Sequence, residues 1–175
     1  AWLQLQMPEH ARFRTACAKP ANAQRDRLSI IVRANARTAF GRSHDFASVR
    51  TPADFAARVP MGDHASNVQP WLERMRAPDD SKLTTEPVRF FEKTSGTTAE
   101  AKLIPFTNGL RKEIARAVAA WMGGLYLEHP SVFAGPAYWS ISPPLMETHP
   151  PVAGVPVGHL DDTSYFPTRS ARALR

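Results

Sequence analysis

Thr94, Ser95, Gly96, Thr97 and Thr98 stand in a row and are followed, after Ala99, Glu100 and Ala101, by Lys102. Each residue type suits one part of a polyphosphate. Gly96 lets the main chain turn tightly and approach a ligand closely. Successive amides and the neighbouring hydroxyls can donate hydrogen bonds to phosphate oxygens, and Lys102 supplies a compact positive charge. The P-loop of the common NTPases is a different pattern, with glycine directly before the lysine and Ser or Thr directly after it; here those places hold Ala101 and Leu103. The plain alternative is a polar hairpin loop whose hydroxyls satisfy their own backbone. At average residue usage this spacing arises by chance on the order of once in ten thousand chains this long, which favours a phosphate cradle.

Such a loop needs rigid elements on both sides, and the sequence provides them. Val88, Arg89, Phe90, Phe91 and Glu92 form a β-branched and aromatic run suited to a strand, and Leu103, Ile104, Pro105 and Phe106 return the chain to an extended apolar segment. Thr107 can then cap a long helix, in which Leu110, Ile114, Ala117, Val118, Trp121 and Leu125 keep helical spacing until His129-Pro130 ends it. Residues 137–142 read as a further strand, stopped by Pro143-Pro144. Upstream, helical spacing over residues 22–40 gives an amphipathic helix with Gly41 as its stop. Thr51-Pro52 and Asp63 open two more helices, the second carrying Pro70 as an awkward insertion. The expected organisation is a single incomplete α/β domain. Residues 1–80 are mostly helical, residues 81–142 hold strand, phosphate loop, strand, long helix and strand, and residues 143–175, with six prolines, form a loop-rich tail.

Composition narrows the class of function. The chain of 175 residues is 43% hydrophobic and 22% charged, which is the balance of a globular protein with a sizeable core. The longest nearly apolar stretch, residues 118–127, is too short to span a bilayer, so no membrane partner is expected and the expected location is cytoplasmic. The charge of +6 comes from arginines spread along the chain without a basic, aromatic-studded stripe, which argues against nucleic acid. One cysteine, Cys17, cannot form an internal disulfide. His10, His44, His64, His129, His149 and His159 lack metal-ligand spacing, so no metal site is expected among the side chains. Asp161 and Asp162 are adjacent and fit a turn beside Gly158 better than a carboxylate pair for acid-base work.

The loop and its surroundings resemble a known family. The Thr-Ser-Gly-Thr-Thr core with its trailing lysine is similar to the phosphate loop of adenylate-forming, acyl-activating enzymes. Phe90-Phe91-Glu92-Lys93 before it and Lys102-Leu103-Ile104-Pro105-Phe106-Thr107 after it narrow the resemblance to bacterial relatives of the plant auxin-responsive acyl acid amido synthetases. Thr38-Ala39-Phe40-Gly41-Arg42, Gln69-Pro70-Trp71-Leu72-Glu73-Arg74-Met75, Ala137-Tyr138-Trp139-Ser140-Ile141-Ser142 and Val155-Pro156-Val157-Gly158 agree with that branch, so the likeness covers roughly residues 22–166. Ala99 and Ala101 depart from it, standing where the family often has glycine and proline.

The resemblance implies the amino-terminal portion of an ATP-dependent ligase that makes an acyl-adenylate from a carboxylic acid and passes the acyl group to an amine, usually that of an amino acid. Thr94, Ser95, Gly96, Thr97 and Thr98 would hold the ATP phosphates, Lys102 would sit near the departing pyrophosphate, and Mg²⁺ would offset charge. Trp121, Met122 and Leu125 on the following helix are acyl-pocket candidates, although core packing is the commoner use of such a stripe. The remainder of the family's domain would lie outside this chain and is an expected packing partner. The rival expectation is a non-catalytic remnant or interaction fragment that binds phosphate weakly.

Overall fold

The computed structural model describes residues 3–75, 83–94, 102–136, 138, 151–152 and 154–158. The chain divides into two compact units, one of residues 19–87 with 152–154, the other of residues 1–18, 88–151 and 155–175. Helices mixed with a hairpin of strands give the expected α/β character.

In the first of these units, helix α2 (Pro20–Asn35) opens on a proline in its first turn and presents Leu28 and Val32 one turn apart. Val32, Phe46 and Val49 are buried together, with Leu28, Ala36, Phe40, Phe55 and Val59 packed around them. Expected as one helix over residues 22–40, this region is two. The chain turns after Asn35 and restarts as α3 (Ala39–Ser43) behind a Thr38 cap.

Gly41 is therefore no helix stop; it lies buried inside α3. The Thr38 amide and hydroxyl both donate to the Asn35 carbonyl, at 3.0 and 2.8 Å, and the Gly41 amide donates to the Thr38 hydroxyl at 2.9 Å. This turn presses α3 so tightly on the preceding backbone that a Cβ at position 41 would sit 2.0 Å from the Asn35 carbonyl oxygen. Because the obstacle is main chain, Gly41→Ala should cost about 1–3 kcal/mol of stability, read as a lower denaturation midpoint.

Helix α4 (Pro52–Arg58) starts as expected on Thr51, whose hydroxyl accepts the Asp54 amide at 3.1 Å. In return the Asp54 carboxylate accepts the amides of Arg50 and Thr51 at 3.0 and 2.9 Å, completing a capping box. The Arg50 amide first, then Thr51, hold the Asp54 pKa below its ordinary 3.8. A depressed carboxylate stabilises the fold above its unfolded pKa and loses that contribution as pH falls through its folded one. An Asp54→Asn variant should therefore trail the wild type in urea melts at about pH 6, and the gap should narrow as pH falls below the ordinary carboxylate range.

Asp63 caps α5 (His64–Asn67), but Pro70 does not interrupt that helix; it occupies the first turn of a separate one, α6 (Gln69–Arg74), where a missing N–H costs no helical bond. Along α6 the Arg74 guanidinium lies 4.6 Å over the Trp71 ring, and that ring meets Phe40 edge-on at 5.2 Å.

The second unit contains α1 (Met7–Ala18), β1 (Val88–Lys93), β2 (Leu103–Thr107) and α7 (Asn108–Glu128). The two strands pair antiparallel, with Phe90 opposite Phe106, Phe91 opposite Pro105 and Lys93 opposite Leu103. Phe90 and Phe106 stack at 4.4 Å and carry Leu110, Ile114 and Val118 of α7 on top of them. Thr107 ends β2 and caps α7, accepting the Leu110 amide at 3.2 Å, so strand and helix share one residue. The helix runs to Glu128 and stops at His129, as its sequence requires.

Phe91 points to the opposite face from Phe90 and is fully buried, so both faces of β1 are covered. Its amide donates to the Pro156 carbonyl at 2.8 Å, and its carbonyl accepts from Gly158 at 2.7 Å, which lays Val157 parallel beside β1. Paired residues in an antiparallel ladder bond to each other and face outward by turns. Phe91 spends both groups on the Val157 side, so its partner Pro105 also faces outward. The N–H that proline lacks therefore falls on the side of β2 away from β1, where it removes no rung of the β1–β2 ladder. Of the strand expected over residues 137–142, only Tyr138 lies within the described residues, and it is exposed and belongs to no strand.

Helix α1 packs along α7, a contact that apolar spacing did not reveal. Its His10 donates from Nδ1 to the Ala120 carbonyl at 3.0 Å. As that carbonyl can only accept, Nδ1 carries the proton. The ring fits because Gly123 and Gly124 leave a notch: a Cβ on Gly123 would come within 2.8 Å of His10 Cβ, and one on Gly124 within 3.1 Å of its Cε1.

Candidate functional site

The phosphate-loop candidates hang between β1 and β2, and the structure fixes both ends of that span. Past the Lys93–Leu103 pair, the Thr94 amide donates to the Lys102 carbonyl at 3.0 Å. The reciprocal rung is made by a side chain, because the Lys102 amide donates to the Thr94 hydroxyl oxygen at 3.2 Å. Thr94 is half-buried and Lys102 is exposed. Ser95, Gly96, Thr97 and Thr98 lie outside the described residues. The two ends of the candidate loop, Thr94 and Lys102, are thus brought together.

Several features hold this neck in place. Phe90 and Phe91 anchor β1 on both faces, Phe106 anchors β2, and α7 leaves β2 at once through the Thr107 cap. Sequence reading foresaw the strands and the cap. It did not foresee the Val157 pairing to Phe91, whose signal is non-local, or the use of the Thr94 oxygen within the hairpin.

The acyl-pocket candidates fall differently on α7. Trp121 is 59% exposed, Leu125 is half-buried on the same face, and Met122, about 100° around the helix, is buried. Trp121 lies in line with Leu110, Ile114 and Val118 but beyond the part of the stripe that covers the hairpin. Among the described residues no group of three or more His, Cys, Asp or Glu side chains could hold a metal, and no helix is long and apolar enough to cross a membrane.

Comparison with known proteins matches residues 9–169 to the GH3 family N-terminal domain. Jasmonoyl-L-amino acid synthetase GH3.3 of Oryza sativa subsp. japonica is 33% identical over 102 residues, covering 57% of this chain. The chain spans 22% of that relative's length. The family match over residues 9–169 takes in β1, the candidate loop and β2, segments whose residues carried the family resemblance. The chain belongs to the GH3 family, and its residues 9–169 match that family's N-terminal domain.

Proposed function

We propose that the chain carries the ATP-phosphate-binding part of an adenylate-forming ligase that joins a carboxylic acid to the amine of an amino acid. The observation that supports this best is the closed neck between Thr94 and Lys102, the two residues that bracket the Ser-Gly-Thr-Thr tract in the sequence, within a chain that matches the GH3 N-terminal domain. The rice relative is by name a synthetase of amino acid conjugates.

In this reading the amides and hydroxyls of Ser95, Gly96, Thr97 and Thr98 donate to the ATP phosphates, while Lys102 stands near the β- and γ-phosphates. The substrate carboxylate attacks the α-phosphorus, the bond to the β-phosphate oxygen breaks, and pyrophosphate leaves. The acyl-adenylate then meets an amine, whose nitrogen attacks the acyl carbon and expels AMP. Adenylation turns a poor leaving oxygen into a good one. The protein contributes positioning and stabilisation of the charge that gathers on the departing pyrophosphate. Mg²⁺ enters with ATP, on whose phosphates it is ordinarily carried. In this reading Trp121 and Leu125 offer an apolar wall for the acid, while Met122 is buried on a neighbouring face of the helix.

Titration calorimetry of the chain with ATP and Mg²⁺ tests the reading. Binding that inorganic tripolyphosphate competes away is the expected result, since in this reading the loop holds the phosphates. A chain that is folded by circular dichroism yet takes up no ATP would count against the ligase reading and in favour of an interaction fragment.

A further inference from the structure

We propose that Thr94 is a positioning residue for Lys102, closing the base of the loop with its side chain instead of serving as a phosphate ligand. The inference rests on the ATP-binding reading above and assigns one residue within it. In the β1–β2 ladder, Thr94 and Lys102 form a pair whose main-chain groups face each other, two steps on from Glu92 and Ile104. A regular rung would send the Lys102 amide to the Thr94 carbonyl. It goes to the Thr94 hydroxyl oxygen instead, at 3.2 Å, while the opposite bond stays main chain to main chain at 3.0 Å.

This exchange has two effects. The Thr94 carbonyl is released from its rung with Lys102. Meanwhile both main-chain polar groups of Lys102 are tied to one residue across the neck, which fixes the backbone from which the lysine side chain departs. A flexible four-carbon stem gains most from a fixed root, because less freedom is then lost when its ammonium meets a phosphate. Threonine suits the position: its branched Cβ favours the strand end, and its oxygen supplies the acceptor. With that oxygen engaged by the Lys102 amide, the Thr94 side chain is assigned to the neck.

The test compares the wild-type chain with Thr94→Val, Thr94→Ser, Lys102→Ala and the Thr94→Val/Lys102→Ala double variant. In the ATP-free chain, hydrogen exchange at the Lys102 amide should quicken roughly three- to tenfold in Thr94→Val and return to the wild-type rate in Thr94→Ser. ATP affinity, with Mg²⁺ present, should fall in Thr94→Val by a similar factor and recover in Thr94→Ser. Once Lys102 is already alanine, Thr94→Val should lower the affinity by less than about twofold, because there is no lysine left to position. Unchanged Lys102 exchange in Thr94→Val would overturn the proposal. So would an ATP loss that persists in full without Lys102, since Thr94 would then touch phosphate itself. A wild-type chain with Thr94-dependent exchange but no ATP binding would refute the functional reading and the purpose assigned to the clasp, leaving the clasp itself demonstrated.

Discussion

Phe91→Ala should lower the unfolding free energy by about 3–5 kcal/mol, the usual cost of removing a fully buried ring. That is a large part of the roughly 5–15 kcal/mol available to a small domain. Phe91 is fully buried, and its two main-chain bonds hold the 155–158 segment against β1. The cavity left by alanine would lie beneath the strand that carries Thr94. Urea denaturation followed by circular dichroism measures the loss, with Phe91→Leu as the control. Leucine keeps most of the apolar contact and should cost clearly less than alanine. Equal midpoints for Phe91→Ala and the wild type would mean that this ring is not a support of the hairpin.

Lys102→Ala should weaken ATP binding in the presence of Mg²⁺ by about tenfold to a hundredfold, as expected for a hydrogen bond to a charged group worth about 1.5–3 kcal/mol. Stability should barely change. Lys102 is exposed, and the bonds that hold the neck use its backbone, which alanine retains. Calorimetry with ATP and a thermal melt of the same preparations separate the two effects. Lys102→Arg keeps the charge but replaces a compact ammonium with a broad planar fork, and should recover only part of the affinity. An alanine variant that binds ATP as tightly as the wild type would remove Lys102 from the site.

Elements with local signals could be read from the sequence. The Thr107 cap, the helix that follows and its end at His129-Pro130 all depend on neighbours within a few residues, as does the capping box of Thr51 and Asp54. Long-range causes were hidden. Gly41 looked like a helix stop because glycine commonly is one, yet its reason is the close passage of α3 over the Asn35 carbonyl. Helix α1 buries no residue of its own, so no strong apolar stripe announced it. Its place comes from the fit of His10 against two glycines more than a hundred residues later. The same division holds at the candidate site. Residue types and spacing marked the loop, but the double use of Thr94 follows from strand register, which a single sequence does not display.

The His10 notch also makes the second half of α7 conditional. Glycine inside a helix costs about 1 kcal/mol relative to alanine, and here two stand side by side with about one turn of helix left beyond them. Alone, that end would fray. Its order is borrowed in part from α1, whose histidine fills the gap and adds a bond to the Ala120 carbonyl. Leu125 and the last turn of α7 therefore draw part of their order from the docked α1, which acts as a latch there, and part from the turn beyond, where Phe133 meets Tyr126 edge-on at 5.7 Å.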